Sequence, residues 1–343
     1  MDQEYTQRIA KIDAELKHWL PEEPDSEWAE KVFGDIGRKA DLESIKLLLA
    51  PLRELLFRGG KRWRPLLMIL VCETFGGGDA AIPLSPVVEF SHNASLIHDD
   101  IEDASDERRG KPAIHKIFGI DVGINSGSFF YFLASACIDS HTQNADTLNK
   151  SSIYKLWMDC IRRLHLGQSM DINWHRNTSF IPALDEYFLM CALKTGSLAR
   201  LSTELGALIP GVLPDTVKSL GDAADKLGIG FQILDDVKNL TTGIHGKKRG
   251  DDVVEGKKSL PVILYLNKYP EKQNRIFEIF NIAKQKGSAA PEVEELISIL
   301  SSSGVLEEAE EIGKSLLTEA KGIFRNHKFD DFALLDNFIN LIS

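Results

Sequence analysis

No stretch of this 343-residue sequence reaches the run of about 20 apolar residues that a membrane-spanning helix requires, so no transmembrane segment is expected. Cysteine is scarce. Cys72, Cys137, Cys160 and Cys191 are widely spaced in apolar surroundings and form no CxxC pair near a histidine. That removes the zinc-site and disulfide-scaffold classes and leaves reduced core thiols. Basic charge is in deficit: 40 Lys and Arg against 51 Asp and Glu give a net charge of -11. No Lys/Arg run widens into a patch, so no nucleic acid partner is expected. Internal repeats, low-complexity linkers and alternating strand-like stretches are also lacking. The first residues, MDQEYTQRIAKIDAELKHWL, place acids where an export signal carries lysines, then space Ile9, Ile12, Leu16 and Leu20 at helical intervals. The expected compartment is cytoplasmic.

What is present is a helical pattern. Apolar residues recur every three or four positions, as in Leu306, Ala309, Ile312, Leu316, Ala320 and Ile323, which trace one face of a C-terminal helix. Turn chemistry interrupts the pattern at Arg58-Gly59-Gly60, Gly76 to Asp79, Arg109-Gly110-Lys111-Pro112, Pro210-Gly211, Gly243 to Gly250 and Ser301 to Gly304. The expected fold class is all-α. Residues 1–343 read as a single domain with a central cavity, because chemically suggestive residues occur in both halves.

The strongest chemistry is carboxylate. In Ser91-His92-Asn93-Ala94-Ser95-Leu96-Ile97-His98-Asp99-Asp100-Ile101-Glu102-Asp103, Asp99 and Asp103 lie four apart and share a helix side. Like charges at that spacing cost about 0.2–0.5 kcal/mol per exposed pair, and more if turned inward. Converging hard oxygens are what Mg²⁺ requires when substrate phosphates complete its shell. One such cluster is equally a solvated acidic helix end; a second changes the weighing. Phe231-Gln232-Ile233-Leu234-Asp235-Asp236-Val237-Lys238-Asn239 repeats the pair, with Asn239 keeping a neutral carbonyl oxygen in the last place. Apolar Ile97, Phe231, Ile233 and Leu234 precede the acids, which suits a diphosphate head above a hydrocarbon tail.

Cations accompany both clusters. Gly59-Gly60-Lys61-Arg62-Trp63-Arg64 offers flexible backbone with three basic side chains, and Arg108-Arg109-Gly110-Lys111 follows the first acids closely. Arginine forks grip phosphate oxygens and stay charged when partly desolvated. Gly250-Asp251-Asp252-Val253-Val254-Glu255-Gly256-Lys257-Lys258-Ser259 faintly suggests a P-loop, but the spacing is wrong, Lys258 stands where Ser or Thr belongs, and no strand precedes it.

The ordered series GGKRWRP, SLIHDDIEDASDERRGKPAIH, GQSMD, KTGSL, FQILDDVKNL and GKKRGDDVVEGKKSLP, from about Gly59 to Pro261, resembles the trans-isoprenyl diphosphate synthases, also called polyprenyl synthetases. It is most similar to their geranylgeranyl diphosphate synthase branch. The resemblance implies the isoprenoid synthase fold, helices surrounding a deep central cavity, usually as a homodimer. It implies head-to-tail condensation of isopentenyl diphosphate with an allylic diphosphate (dimethylallyl, geranyl or farnesyl). Three Mg²⁺ ions would be held by Asp99 and Asp103 on one side and Asp235 on the other, with Asp100, Asp236 and Asn239 assisting. Arg108, Lys194 and Lys247 would bind the allylic diphosphate, and Thr195 and Gln232 would line the reacting carbons. Lys61, Arg64, His92 and Arg109 would bind isopentenyl diphosphate, and Lys257 joins the substrate-binding cations. The chain departs from the family pattern at Ser128, where Asp is common, at Gly196, where Ala is common, and mildly at Asn239. His98 reads as a structural hydrogen-bonding partner, and His115, Gln168 and Asp171 as supporting polar groups.

Product length is read from the residues four, five and eight before Asp99. Ser95, Ala94 and Ser91 are all small and are expected below Asp99 on roughly one face, opening about 12 Å of depth. One of Phe129, Phe130, Tyr131 and Phe132 is expected to supply a floor, from this subunit or from a dimer partner. Geranylgeranyl diphosphate is the expected product. The alternatives are a farnesyl or longer-chain (C25 and above) synthase, a non-catalytic subunit of a heteromeric synthase, and a class I terpene cyclase. The subunit reading meets an intact set of aspartates, and the cyclase reading meets Lys61, Arg64 and Arg109.

Overall fold

The computed structural model describes residues 3–35, 41–143, 147–177, 180–243 and 249–327. Sixteen α-helices account for most of them, and the β-structure among the described residues is one two-residue pairing. Backbone contacts divide the chain into two compact units, Met1–Ile161 with Leu201–Lys218, and Arg162–Arg200 with Ser219–Ser343.

The first unit contains α1 (Gln3–Trp19), α2 (Ser26–Phe33), α3 (Leu42–Leu56), α4 (Trp63–Thr74), α5 (Ser85–Glu102), α6 (Ile114–Phe118) and α7 (Ile120–His141). It also takes the first half of α8 (Thr147–Arg176). Local chemistry sets the ends. The Asp25 carboxylate accepts from Trp28 N at 2.8 Å at the start of α2, and Pro86 occupies the first turn of α5, where its missing N–H costs nothing. Ten consecutive residues of α4, Trp63 to Cys72, are buried, and α5 packs along α7 for much of its length. Between α5 and α6, β1 (Glu107–Arg108) pairs antiparallel with β2 (Lys111–Pro112) through a two-residue turn.

The second unit continues through α9 (Leu184–Cys191), the π-helical turn Ala192–Gly196, the start of α10 (Ser197–Leu208) and most of α11 (Pro214–Leu240). The short α12 (Asp251–Glu255) follows, then α13 (Leu260–Lys268), α14 (Gln273–Lys286), α15 (Pro291–Ser302) and α16 (Val305–Asn326). Its core gathers Trp174, Tyr187, Ile233, Leu260, Phe280 and Leu296. The buried stripe of α16 is Leu306, Ala309, Gly313, Leu317, Ala320 and Phe324. It runs one residue beyond the expected face over its C-terminal half, with Ile312, Leu316 and Ile323 flanking it.

All four cysteines are buried, and none of the four is in a disulfide. No described helix is long and apolar enough to cross a membrane.

Candidate active site

Both carboxylate rows occupy the C-terminal turn of a long helix. Asp99 and Asp100 end α5, and Asp103 is its C-cap, its N–H bonding to Asp99 O at 2.9 Å. Asp235, Asp236 and Asn239 end α11 in the second unit. A helix C-terminus carries partial negative charge, so carboxylates there are doubly unfavourable and call for cations.

In the first unit the answering cation is Arg108. Its Nε donates to Asp100 Oδ1 at 2.8 Å, and its Nη2 reaches Asp100 Oδ1 at 2.5 Å and Asp99 Oδ2 at 3.2 Å. Asp100 is fully buried, and its Oδ2 has no hydrogen-bond partner. Burial raises its carboxyl above the ordinary range, against the pull of Arg108. Asp99 and Asp103 are partly exposed.

The hairpin carrying Arg108 turns through Arg109 and Gly110, both at positive φ (55° and 72°). Arg109 therefore sits in a left-handed conformation that a glycine or asparagine would adopt more readily. The strain aims its guanidinium at Leu55 O, 3.1 Å away, and at the Gly59-Gly60 loop, where a Cβ on Gly60 would lie 3.4 Å from Arg109 Nη2. Arg62 is also left-handed (φ 49°). It opens α4 with bonds to Asp13, Glu89 and Leu56 O at 3.0, 2.8 and 2.7 Å. Arg64 lies over the Trp63 ring at 4.3 Å, and its Nη1 donates to His92 Nε2 at 3.3 Å. Burial lowers both Arg64 and Arg109 to about 10 while the Glu89 carboxylate opposes that fall. Burial, then the charges of Arg64, Arg109, Arg108 and Arg62, hold His92 well below the usual histidine range, so the imidazole is neutral and accepts. Lys61 is exposed beside this nest of arginines. Such a nest is built for a polyanion.

In the second unit a hydrogen-bonded chain organises the other row. Thr195 Oγ1 donates to Gln232 Oε1 at 2.8 Å, and Gln232 Nε2 donates to Asp236 Oδ1 at 2.9 Å. Lys257 Nζ donates to Asp236 Oδ1 at 2.8 Å and to Asp252 Oδ2 at 3.3 Å. Burial lowers the Lys257 ammonium, but Asp236, Asp252 and Asp171 outweigh it and hold the group well above its ordinary value. Tyr187 OH completes the shell of Asp236, donating to Oδ2 at 2.8 Å. Asn239 is buried, and its Oδ1 accepts from Asp252 N at 3.3 Å. Asp236 and Asn239 are thus engaged internally, and Asp235 is the partly exposed oxygen of this row.

Lys194 donates to Asp171 Oδ2 at 2.6 Å, and His175 Nε2 lies 2.9 Å from Asp171 Oδ1. Burial acts to raise Asp171, yet Lys194 and His175 hold it well below the carboxylate range. The π turn bearing Lys194 and Thr195 is gripped by two glycines. A Cβ on Gly167 would fall 2.4 Å from Lys194 N, and one on Gly228 2.5 Å from Gly196 Cα. A Cβ on Gly196 itself would lie 3.3 Å from Asp225 Cα, a tight contact at this crossing. Lys247 lies outside the described residues.

His98 has the structural role read from the sequence. Its Nδ1–H donates to Ala94 O at 2.9 Å, leaving Nε2 to accept from Ser128 Oγ at 3.3 Å. Below Asp99, the 100° per residue of a helix separates the three small residues. Ser95 lies roughly 40° from Asp99 and Ser91 roughly 80°, whereas Ala94 lies roughly 140° away and is fully buried. Of the aromatic run on α7, Phe129 stacks on Phe33 and Tyr131 on His98, Phe130 meets Phe90 at a tilt, and Phe132 is exposed.

Two residues of this constellation escape sequence reasoning. Glu89 is legible only as a lone acid inside the apolar run Val87-Val88-Glu89-Phe90, and Tyr187 gives no signal. Among the described residues, no three His, Cys, Asp or Glu side chains already form a metal cage. The orphaned Asp100 Oδ2 and the partly exposed Asp99, Asp103 and Asp235 are hard-oxygen donors that fit Mg²⁺, provided a ligand supplies the rest of its shell.

The sequence profile of the Polyprenyl synthetase family matches residues 45–300. The chain belongs to that family. A geranylgeranyl pyrophosphate synthase from Aspergillus fumigatus is 32% identical over 311 residues, covering 90% of this chain and 82% of its own. One from Penicillium canescens is 33% identical over 292 residues, 84% and 83% of the two chains. A crystal structure of a geranylgeranyl pyrophosphate synthase superposes with a TM-score of 0.82 at 24% identity, covering 100% of this chain and 99% of that one. This polyprenyl synthetase has the all-helical isoprenoid synthase fold and is a transferase of prenyl groups.

Proposed function

We propose that this polyprenyl synthetase condenses isopentenyl diphosphate with dimethylallyl, geranyl or farnesyl diphosphate and releases geranylgeranyl diphosphate. The observation that carries the reading is the α5 C-terminal turn: Asp99, Asp100 and Asp103 lie within the stretch that matches the family, with Arg108 lying across the first two. The length assignment is supported by small Ser91 and Ser95 below Asp99 and by the relatives' product.

In this reading Asp99, Asp103 and Asp235 would hold three Mg²⁺ ions, and Asp100, Asp236 and Asn239 would support them. When bound, Mg²⁺ supplies Lewis-acid charge that stabilises the departing diphosphate. Arg108 leaves Asp99 and Asp100 to grip the allylic diphosphate, and Lys194 and Lys247 take its other oxygens. Lys257 holds the Asp236 carboxylate in place through the pairing described above. Thr195 and Gln232 line the reacting carbons, excluding water from the allylic cation left by C–O ionisation. Arg64, Arg109, Lys61 and neutral His92 hold isopentenyl diphosphate so that its double bond attacks that cation, and proton loss to the released diphosphate restores an alkene. Use of both carboxylate rows on one diphosphate, a single domain spanning 1–343, a homodimeric assembly and a cytoplasmic setting belong to the same proposal. Family membership and the four reduced, buried cysteines support it.

The test is direct. The purified chain with Mg²⁺ and isopentenyl diphosphate is given each primer, and the products are separated by length. Accumulation of the C20 diphosphate is expected. Absence of condensation with every primer overturns the reading, and a cyclic hydrocarbon from geranylgeranyl diphosphate alone replaces it with a cyclase.

A further inference from the structure

We propose that Trp157, tied to Ser91, is the floor of the hydrocarbon site and sets where elongation stops; the proposal rests on the prenyl-transfer reading above. Below Asp99 on α5, Ser95 and Ser91 are both small. Two turns below Asp99, roughly 12 Å along α5, an indole arrives from another helix. Trp157 Nε1 donates to Ser91 Oγ at 3.2 Å, and Ser91 Oγ donates onward to Val87 O at 2.7 Å.

The indole is locked from its other side as well. Tyr154 meets it edge to face at 6.0 Å, and the Tyr154 hydroxyl donates to Ser135 O on α7 at 3.1 Å. Trp157 is 4% exposed and lies on the buried face of α8 with Ile153 and Cys160. Fixed at both ends, this flat apolar body at the depth of Ser91 is a rigid stop, unlike a Leu or Met that could swing aside. Ser91 therefore has two roles in one side chain: small enough to leave room for the growing chain, and polar enough to hold the indole across it.

The experiment is elongation by the full chain with farnesyl and, separately, geranylgeranyl diphosphate as primer, comparing wild type with Trp157→Ala, Trp157→Phe and Ser91→Ala. Product length is read as a ratio, so a change in overall rate does not affect it. Wild type is expected to stop at C20 and leave geranylgeranyl diphosphate unextended. Trp157→Ala is expected to shift most product to C25 and beyond, Trp157→Phe to keep C20 dominant, and Ser91→Ala to give a mixture. Circular dichroism establishes that each variant is folded; should Trp157→Ala fail to fold, Trp157→Leu replaces it, with a smaller shift in the same direction expected. A folded variant of reduced volume with the wild-type length distribution overturns the assignment of Trp157 while leaving the enzyme's function standing. A wild-type chain that condenses nothing overturns both.

Discussion

The Tyr187 hydroxyl donates to Asp236 Oδ2 at 2.8 Å, and neither side chain is exposed to solvent. Burial, reinforced by the neighbouring Asp236 charge, pushes the phenol well above its ordinary value, so it remains a donor at every working pH. Tyr187→Phe removes this donor and keeps the ring. A stability loss of about 1–2 kcal/mol is expected. A fall of about 10- to 100-fold in kcat at fixed Mg²⁺ is also expected, with part recovered at higher Mg²⁺, because a supporting partner of a metal-site carboxylate is lost. Melting curves and a Mg²⁺ titration of the rate check both.

Arg108→Gln leaves Asp100 buried without its counter-charge. Loss of one partner of a buried pair costs about 3 kcal/mol. The pH sign follows from the raised Asp100 carboxyl. Its stabilising contribution is complete below the unfolded value of 3.8 and is lost as pH rises through the folded value. Without Arg108 that folded value climbs further, so the variant's deficit is expected to be smaller at pH 4 than at pH 8. Paired denaturant titrations at the two pH values measure it.

Glu89 is a buried acid facing the arginine nest, bonded to Arg62 and offsetting the depressed Arg64 and Arg109. Glu89→Gln is expected to raise the KM for isopentenyl diphosphate about tenfold or more, with a smaller effect on the KM for the allylic primer. Steady-state kinetics with each substrate varied in turn distinguish this from a general loss of folded protein.

Lys258 is buried with one hydrogen bond, to Gly256 O at 3.0 Å, and lies over the Phe280 and Phe277 rings at 4.6 and 5.2 Å. Burial lowers it to about 8 from 10.5, a penalty of roughly 3 kcal/mol at neutral pH that the ring contacts offset by about 1. Lys258→Met is expected to raise stability by about 1–2 kcal/mol at pH 7. Between pH 8 and 10.5 the unfolded lysine still holds a proton that the folded one releases, so the wild type gains stability from this group as pH rises. The gap between the two proteins is therefore expected to close across that window in thermal melts.

The helical period made the fold legible, and it placed the face of α16 to within one residue because apolar spacing alone decides that packing. The acids and arginines were legible as types and spacings. Their division of labour was not. Tyr187, Gln232, Lys257 and the N–H of Asp252 bond Asp236 and Asn239, and three of those donors come from distant positions in the chain. The π turn at Ala192–Gly196 has no sequence period of its own, because it forms where Gly167 and Gly228 let neighbouring backbone close in. The hydrogen bond from Trp157 to Ser91, 66 residues away, was not legible either, since nothing local to α8 announces it.

The central claim is that the α5 and α11 carboxylates act together on one diphosphate. Its most direct measurement is the single-turnover rate of condensation for Asp99→Asn, Asp235→Asn and the double variant at saturating Mg²⁺. Each single change is expected to lower the rate by at least about 10²- to 10³-fold, and the double variant to fall no further than the worse single one, as for groups that work as a unit. Either single variant retaining the wild-type rate, or the two losses multiplying, would contradict it.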